Sequence, residues 1–178
     1  MRVREAARED LEGIRAVAEA SWERDYTDLL TRDTVTSGVN DWYDEETLRD
    51  QIAGERTPVL VAESEAEQDD VRRGVVGFAH GYADVDVGHV LRLYVHPAER
   101  RAGAGEQLLS ATVAALRERG VDEVNATVLA ANEQGRAFYE SLGFEQVDEA
   151  ETTIGGETHP EVRYALEEGT LEASRREP

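Results

Sequence analysis

Two arginines and two glycines lie close together in the middle of the chain, in the stretch RRAGAG from Arg100 to Gly105. An apolar, β-prone run ends just before them at Pro97, and an amphipathic helical pattern begins just after them. The first amides of a helix have no acceptor inside the helix and lie at the positive end of its dipole, and glycine lets a bulky anion approach the backbone. The order of strand, glycine loop and helix therefore predicts a binding site for a phosphate group.

Two common phosphate motifs do not fit this loop. A dinucleotide-binding fold needs a third glycine in the spacing G-x-G-x-x-G, and that position is Leu108. A P-loop needs a lysine, and the chain contains none, because all nineteen basic residues are arginine. The loop alone leaves two interpretations open: an anion site for a pyrophosphate carried by another cofactor, and a glycine turn with two solvated arginines.

A second stretch that could take part in chemistry runs from Asn132 to Phe144. Asn132 is a good N-cap for the helical pattern that follows, and Phe138 and Leu142, four residues apart, share one face of it. Tyr139 lies next to that face, and a tyrosine that stays neutral there could donate a proton to a leaving group. The alternative interpretation is that Tyr139 only packs, half-buried, against the core.

Taken together, the two stretches resemble the GCN5-related N-acetyltransferase (GNAT) family. The first resemblance is to the family's acyl-CoA loop, Q/R-x-x-G-x-G/A, and is carried by Tyr94-Val95-His96-Pro97 and then Arg100-x-x-Gly103-x-Gly105. The second is to another motif of the family and is carried by Asn132, Phe138-Tyr139 and Gly143-Phe144. The resemblance covers Gly88 to Phe144, with a helix and a strand between the two motifs.

The resemblance implies an α/β domain with a central mixed, largely antiparallel sheet flanked by helices. This sheet is expected to splay open between the strand that ends at His96 and the strand that ends near Leu129, and acetyl-CoA is expected to lie in the gap. We expect one domain over residues 1–168 and a polar, charged tail over residues 169–178.

The resemblance also implies where acetyl-CoA would be held. Backbone groups of Leu93 to Val95 would pair with the pantetheine arm, an amide there would polarise the acetyl carbonyl, and amides from Arg101 to Gly105 would hold the pyrophosphate. The full set of expected cofactor-binding residues is Leu93, Tyr94, Val95, Arg100, Arg101, Ala102, Gly103, Ala104, Gly105, Glu106, Asn132 and Tyr139.

Within this family the amine would attack directly, and Tyr139 would protonate the departing CoA thiolate. The general base is less clearly indicated. One branch of the family carries a glutamate where this chain has Thr127, which cannot serve, and another carries a glutamate at the position of His89. Since an ordinary histidine titrates near neutrality, His89 could act as the base through water; the alternative is a surface histidine at the start of a strand.

The function expected from the resemblance is acetyl-CoA-dependent N-acetylation of a primary amine. The acceptor stays open between a small-molecule amine, a polyamine and a protein or peptide amine. Two other classes of function remain: a non-catalytic acyl-CoA sensor, which would bind the cofactor without turnover, and a structural or partner-binding domain, which would not bind it.

Hydrophobic periodicity supplies the elements that would position these residues. We expect strands near 1–5, 58–63, 71–82, 89–96, 121–129, 144–147 and 161–166, and helices from residue 8 and near 44–54, 106–119 and 132–142. Residues 152–158 are expected to form a glycine-containing turn. The segment from Ser21 to Gly54 has a mixed pattern and holds both tryptophans, which either cap the core or form a wall of the substrate site.

Composition excludes several classes of protein. No apolar run approaches the length of a membrane helix, and there is no cysteine for disulfides or thiolate chemistry. Nucleic acid is an unexpected partner, because binding phosphates needs clustered basic residues and the chain has 39 acidic residues against 19 basic ones. We therefore expect a cytoplasmic protein that binds neither membrane nor nucleic acid, and, since family members are often dimers, a homodimer.

The formal net charge of −20 points to a protein adapted to high salt, a halophilic protein. Such a chain repels itself, and salt relieves the repulsion because the screening length falls to about 3 Å near 1 M. The melting temperature, followed across a KCl series by calorimetry or circular dichroism, is expected to rise from dilute buffer to molar salt. A melting temperature that stays flat or falls over that series would instead indicate an ordinary acidic protein.

Overall fold

The computed structural model describes residues 1–28, 30–64 and 74–166. The strands within these ranges are β1 (Arg2–Glu5), β2 (Val59–Glu63), β3 (Val75–Ala83), β4 (Val87–Val95), β5 (Glu123–Leu129), β6 (Glu145–Ile154) and β7 (Glu157–Leu166). The α-helices are α1 (Leu11–Asp25), α2 (Arg32–Trp42), α3 (Glu45–Ala53), α4 (Ala104–Arg117) and α5 (Glu133–Ser141). Short 3-10 turns precede α1 at Arg8–Asp10 and follow β4 at Pro97–Glu99.

The strands form one seven-stranded sheet in the order β1-β2-β3-β4-β5-β7-β6. Every neighbouring pair is antiparallel except β4 and β5, which run parallel and are connected by α4. A parallel pair needs a crossover of this kind. The predicted fold class, a mixed and largely antiparallel sheet flanked by helices, is confirmed.

The sheet opens in its middle, between β4 and β5. The two strands pair only at their beginnings, from Val87 opposite Glu123 to Val90 opposite Ala126. On the other side of β4, Gly81 of β3 pairs with Val90 while His80 pairs with Arg92, so Leu91 is an extra residue in β4. Because such a bulge bends its strand and increases the local twist, the second half of β4 turns away from β5.

Helices cover both faces of the sheet. On one face α1, α2 and α3 bury side chains such as Ile14, Val39 and Leu48 against alternate residues of β2 and β3. On the other face α4 packs Leu108 against the intervening residues of the same strands, and its next turns meet α5 over β5 and β7. The predicted crossover helix, with its apolar face inward, is confirmed at Ala104–Arg117. Within the described ranges no helix is long and apolar enough to span a bilayer.

The C-terminal part of the domain differs from the sequence expectation. The predicted turn over 152–158 is wrong, because β6 continues to Ile154, β7 begins at Glu157, and only Gly155 and Gly156 form the turn. Both glycines have positive φ, 57° and 85°, which favours glycine at a tight two-residue turn. The tail expected over residues 169–178 lies outside the described residues.

Candidate active site

The loop between β4 and α4 presents unpaired amides at the start of a helix. Gly103 is the N-cap of α4 and has a φ of 82°, a value that glycine adopts without strain. In the described part of the chain, the backbone amides from Arg101 to Glu106 donate to no protein acceptor. These amides and the positive end of the helix dipole together form a site suited to a diphosphate.

The two arginines of the loop have different surroundings. The guanidinium of Arg100 donates to both carboxylate oxygens of Asp25 at 2.7 Å, and its Nε donates to the carbonyl oxygen of Val95 at 3.0 Å. Arg100 therefore fixes the start of the loop to the end of α1. Arg101 has a φ of 65° and an exposed side chain, and within the described residues it forms no ion pair. Its guanidinium is available to an anionic ligand.

A single cleft of about 600 Å³ runs from this loop into the gap between β4 and β5. The predicted cofactor-binding residues line it with one exception: Ala102 lies exposed at the tip of the loop. From Leu91 onward the edge of β4 that faces β5 has no strand partner among the described residues, so its backbone groups can pair with an extended arm. The free amides and the unpaired strand edge fit the diphosphate and the pantetheine arm of coenzyme A.

Tyr139 is placed at the wall of this cleft by α5. Asn132 begins the helix, accepting from the amide of Gly135 at 2.8 Å. The Tyr139 ring is 7% exposed and packs against the rings of Phe138, Phe144 and Tyr164. Burial, and secondly the nearby Tyr26, raise the pKa of the Tyr139 hydroxyl above its usual value. The hydroxyl therefore keeps its proton at neutral pH, as a proton donor must.

Further tyrosines connect the two halves of the open sheet. The side-chain amide of Asn132 donates to the hydroxyl of Tyr26 at 3.3 Å, which joins the start of α5 to the end of α1. Burial raises the pKa of Tyr26 and of Tyr94 well above the usual value, and a neighbouring phenol adds to the shift in each case. The hydroxyls of Tyr26 and Tyr94 are therefore neutral at neutral pH, and neither tyrosine adds a negative charge to the cleft.

The structure does not bring His89 to the cleft. His89 lies in the paired half of β4, opposite Tyr82 of β3 and Asn125 of β5, and its ring stacks on Tyr82 at 6.4 Å between centroids. The gap opens only after Val90, so His89 is not among the lining residues. This position agrees with the alternative interpretation of a histidine near the start of a strand.

Several cleft residues have no counterpart among the predicted ones. Glu161 of β7 lines the cleft opposite Leu129 of β5; burial raises the pKa of its carboxyl group, while Arg163 acts in the opposite direction. Arg92 of β4 also lines it. In the sequence, Arg92 was visible as the charged interruption of the apolar run from Leu91 to Val95, but its neighbours come from distant elements.

The two tryptophans pack in the core and also line the cleft. Trp22 is 2% exposed and belongs to the core beneath α2, whereas Trp42 is partly exposed. Both also form part of the cleft wall. Their rings meet edge to face at 5.3 Å between centroids, so the wall of the cleft is continuous with the core.

Comparison with known proteins agrees with this geometry. A model of the acetyltransferase (GNAT) family matches residues 16–144. Spermidine N(1)-acetyltransferase of Thermoplasma acidophilum is 25% identical over 162 residues, which cover 91% of this chain and 96% of that protein. Mycothiol acetyltransferase of Thermobispora bispora is 45% identical over 62 residues, which cover 35% of this chain and 21% of that protein.

A solved structure has the same fold. The crystal structure of PaiA N-acetyltransferase from Thermoplasma acidophilum, in complex with coenzyme A, has a TM-score of 0.76 at 24% identity and covers 90% of this chain and 96% of that chain. The family model spans well over half of the 178 residues. The chain therefore belongs to the GNAT family, and it is an acetyltransferase whose acyl donor is acetyl-CoA.

Proposed function

We propose that this chain transfers the acetyl group of acetyl-CoA to a primary amine by direct attack of that amine. The observation that carries the proposal is the single cleft, which joins the free amides at the start of α4 to Tyr139 through the gap in the sheet. A covalent acyl-enzyme is not part of the proposal, because the chain has neither cysteine nor lysine.

The proposed roles follow from position. The amides from Arg101 to Gly105 bind the diphosphate, and the unpaired edge of β4 from Leu93 to Val95 orients the arm and polarises the carbonyl. Bound acetyl-CoA supplies the thioester carbonyl that is attacked and the thiolate that leaves. As the N–C bond forms and the C–S bond breaks, Tyr139 gives its phenolic proton to the sulfur.

Glu161 is the proposed acceptor for the proton that the amine loses. It lines the cleft, and within the described residues no arginine lies within ion-pair distance of its carboxylate. A carboxylate with a raised pKa is a better base than an ordinary one, because a general base works best when its pKa approaches the working pH. His89, which lies outside the cleft, has no role in this proposal.

The role of Glu161 predicts a pH dependence. Activity needs the ionised carboxylate, so kcat/KM is expected to fall as the pH falls through a pKa that lies above the ordinary value of 4.5. Glu161→Gln is expected to remove this acidic limb and to lower kcat/KM at neutral pH by about 10²-fold. The control is Glu151→Gln on the exposed strand β6, which should keep the profile of the unaltered enzyme. If the kcat/KM of Glu161→Gln still falls at acidic pH as in the unaltered enzyme, a group other than Glu161 accepts the proton of the amine.

The proposed function is tested by two measurements on the full chain in molar KCl and in dilute buffer. Calorimetry with acetyl-CoA separates a cofactor-binding protein from a structural domain, and release of free CoA with a panel of amines separates an enzyme from a sensor. The panel includes polyamines, because one relative is named a spermidine acetyltransferase, together with amino acids and peptide N-termini. Binding of acetyl-CoA without turnover on any amine would contradict the proposal.

A further inference from the structure

Arg92 of β4 is one of the charged residues that line the cleft. Its Cζ lies 5.3 Å from the ring centroid of Trp42 and 5.3 Å from that of Tyr43. One of its terminal nitrogens donates to Nδ1 of His80 at 3.1 Å. Rings at this distance attract a cation and hold its position, but they accept none of its conventional hydrogen bonds. The guanidinium is therefore held in place, and most of its five N–H donors have no acceptor among the described residues.

This guanidinium has no carboxylate partner in the described part of the chain, although the sequence contains 39 acidic residues. Arg100, in the same cleft, shows the contrast, since both of its terminal nitrogens meet Asp25. His80 does not supply a negative charge. Its Nδ1 accepts the hydrogen bond, and burial and then the charge on Arg92 lower the pKa of its ring to about 4, so the ring is neutral at neutral pH. Among the residues that the structure describes, the Arg92 guanidinium is thus a cleft cation without a counter-ion.

The alternation of β4 places Arg92 on the side where an acceptor would enter. Leu93 and Val95 pack toward α4, whose first turn holds the diphosphate site, whereas Tyr94 packs with α1 and α3 on the opposite face. Arg92 contacts Trp42 and Tyr43, so it lies on that opposite face too. The thioester would come from the α4 side through the gap, and the space beside Arg92 remains for the second substrate.

We propose that Arg92 binds a carboxylate of the acceptor, so that the acceptor is a small amino-carboxylate, such as an amino acid, and not a polyamine. This inference rests on the N-acetyltransferase function proposed above. A planar guanidinium matches a carboxylate with two parallel hydrogen bonds, and here its position is already fixed by Trp42, Tyr43 and His80. The carboxylate is bound and does not react; only the amine nitrogen of the acceptor gains the acetyl group.

The test compares each amino acid with its own carboxamide, which keeps the amine and the side chain but removes the charge. Polyamines are included, and release of free CoA is measured. For the unaltered enzyme, kcat/KM is expected to be about 10- to 100-fold higher for the acid than for the carboxamide, the range for charged hydrogen bonds. This comparison needs no variant, so it does not depend on how Arg92 substitutions fold. Equal or better use of carboxamides or polyamines overturns the inference.

Arg92→Gln tests whether Arg92 causes the preference for the amino acid over its carboxamide. The variant is expected to lose the 10- to 100-fold preference through a higher KM for the acid, while the calorimetric affinity for acetyl-CoA stays unchanged. The matched control is Arg15→Gln, a partly exposed arginine of α1 outside the cleft, which should keep the preference. A preference that survives in Arg92→Gln also overturns the inference. If acetyl-CoA binds but no amine at all is acetylated, the proposed function fails, and the inference fails with it.

Discussion

Tyr139→Phe is expected to lower kcat by about 10²–10⁴-fold, the range for loss of a general acid. The substitution removes one oxygen and leaves the ring, so the packing against Phe138, Phe144 and Tyr164 is kept. Because burial and Tyr26 raise the pKa of the hydroxyl, Tyr139 carries its proton throughout the neutral range. The measurement is steady-state release of free CoA, with the affinity for acetyl-CoA followed in parallel by calorimetry.

The matched control for this variant is Tyr164→Phe. Tyr164 stacks on Tyr139 at 6.3 Å between centroids, and its hydroxyl donates to Glu140 at 2.7 Å, but it does not line the cleft. Tyr164→Phe therefore removes a phenolic oxygen from the same aromatic cluster, but one that does not contact the reacting groups. We expect the kcat of this variant to change little. Full turnover in Tyr139→Phe would remove Tyr139 from the mechanism.

Gly103→Glu is expected to abolish binding of acetyl-CoA, as measured by calorimetry. A glutamate would put a negative charge at the N-terminus of α4, where the free amides are proposed to hold a diphosphate. It would also place a Cβ on a residue with a φ of 82°, which costs roughly 1–2 kcal/mol for a residue other than glycine. Since a Cβ at Gly103 would have open space apart from an ordinary contact with Nε2 of Gln107 at 3.7 Å, the fold itself should tolerate the side chain.

Gly120→Glu separates the charge effect from backbone strain. Gly120 follows α4 at its other end, has a φ of 89°, and likewise has open space around it. The same substitution there brings the same side chain and similar strain, far from the anion loop. We expect comparable losses of melting temperature in the two variants and loss of acetyl-CoA affinity in Gly103→Glu alone. Intact affinity in that variant would contradict the loop assignment.

The part of the cleft proposed to bind the cofactor could be located from the sequence because it is local. The glycines and amides of the anion loop lie within a few residues of one another, at a strand-to-helix junction that periodicity can identify. Tyr139 lies about two turns after the asparagine cap at which its helix begins. In such segments the backbone geometry follows from neighbouring residues, so the residue types and their spacing carry the information.

The part of the cleft proposed to bind the acceptor could not be predicted in the same way, because it is assembled from distant parts of the chain. Glu161 reaches the cleft only because β7 lies between β5 and β6 in the sheet, and nothing near Glu161 in the sequence indicates that order. The helix α2 was missed since valines, threonines and Gly38 give it low helix propensity. Its packing explains the glycine: a Cβ at Gly38 would lie 2.6 Å from the ring of Trp22.

The strand β6 was mistaken in part for a turn for a related reason. It is the edge strand of the sheet, and most of its side chains are exposed. An edge strand of this kind shows no apolar alternation, and its charges protect the edge from pairing with another chain. In a chain with 39 acidic residues, polar runs of this sort do not distinguish a strand from a loop.

The extra residue at Leu91 also determines which face of the sheet each later side chain of β4 lies on. Before it, the even-numbered Gly88 and Val90 face the side covered by α4, as the neighbours Leu116 and Val121 of Gly88 indicate. After it, the odd-numbered residues 93 and 95 face that side. Strict alternation would have turned Arg92 and Tyr94 into the α4 core. A single inserted residue thus opens the sheet and also decides which side chains of β4 face α4 and which face the aromatic residues on the opposite side.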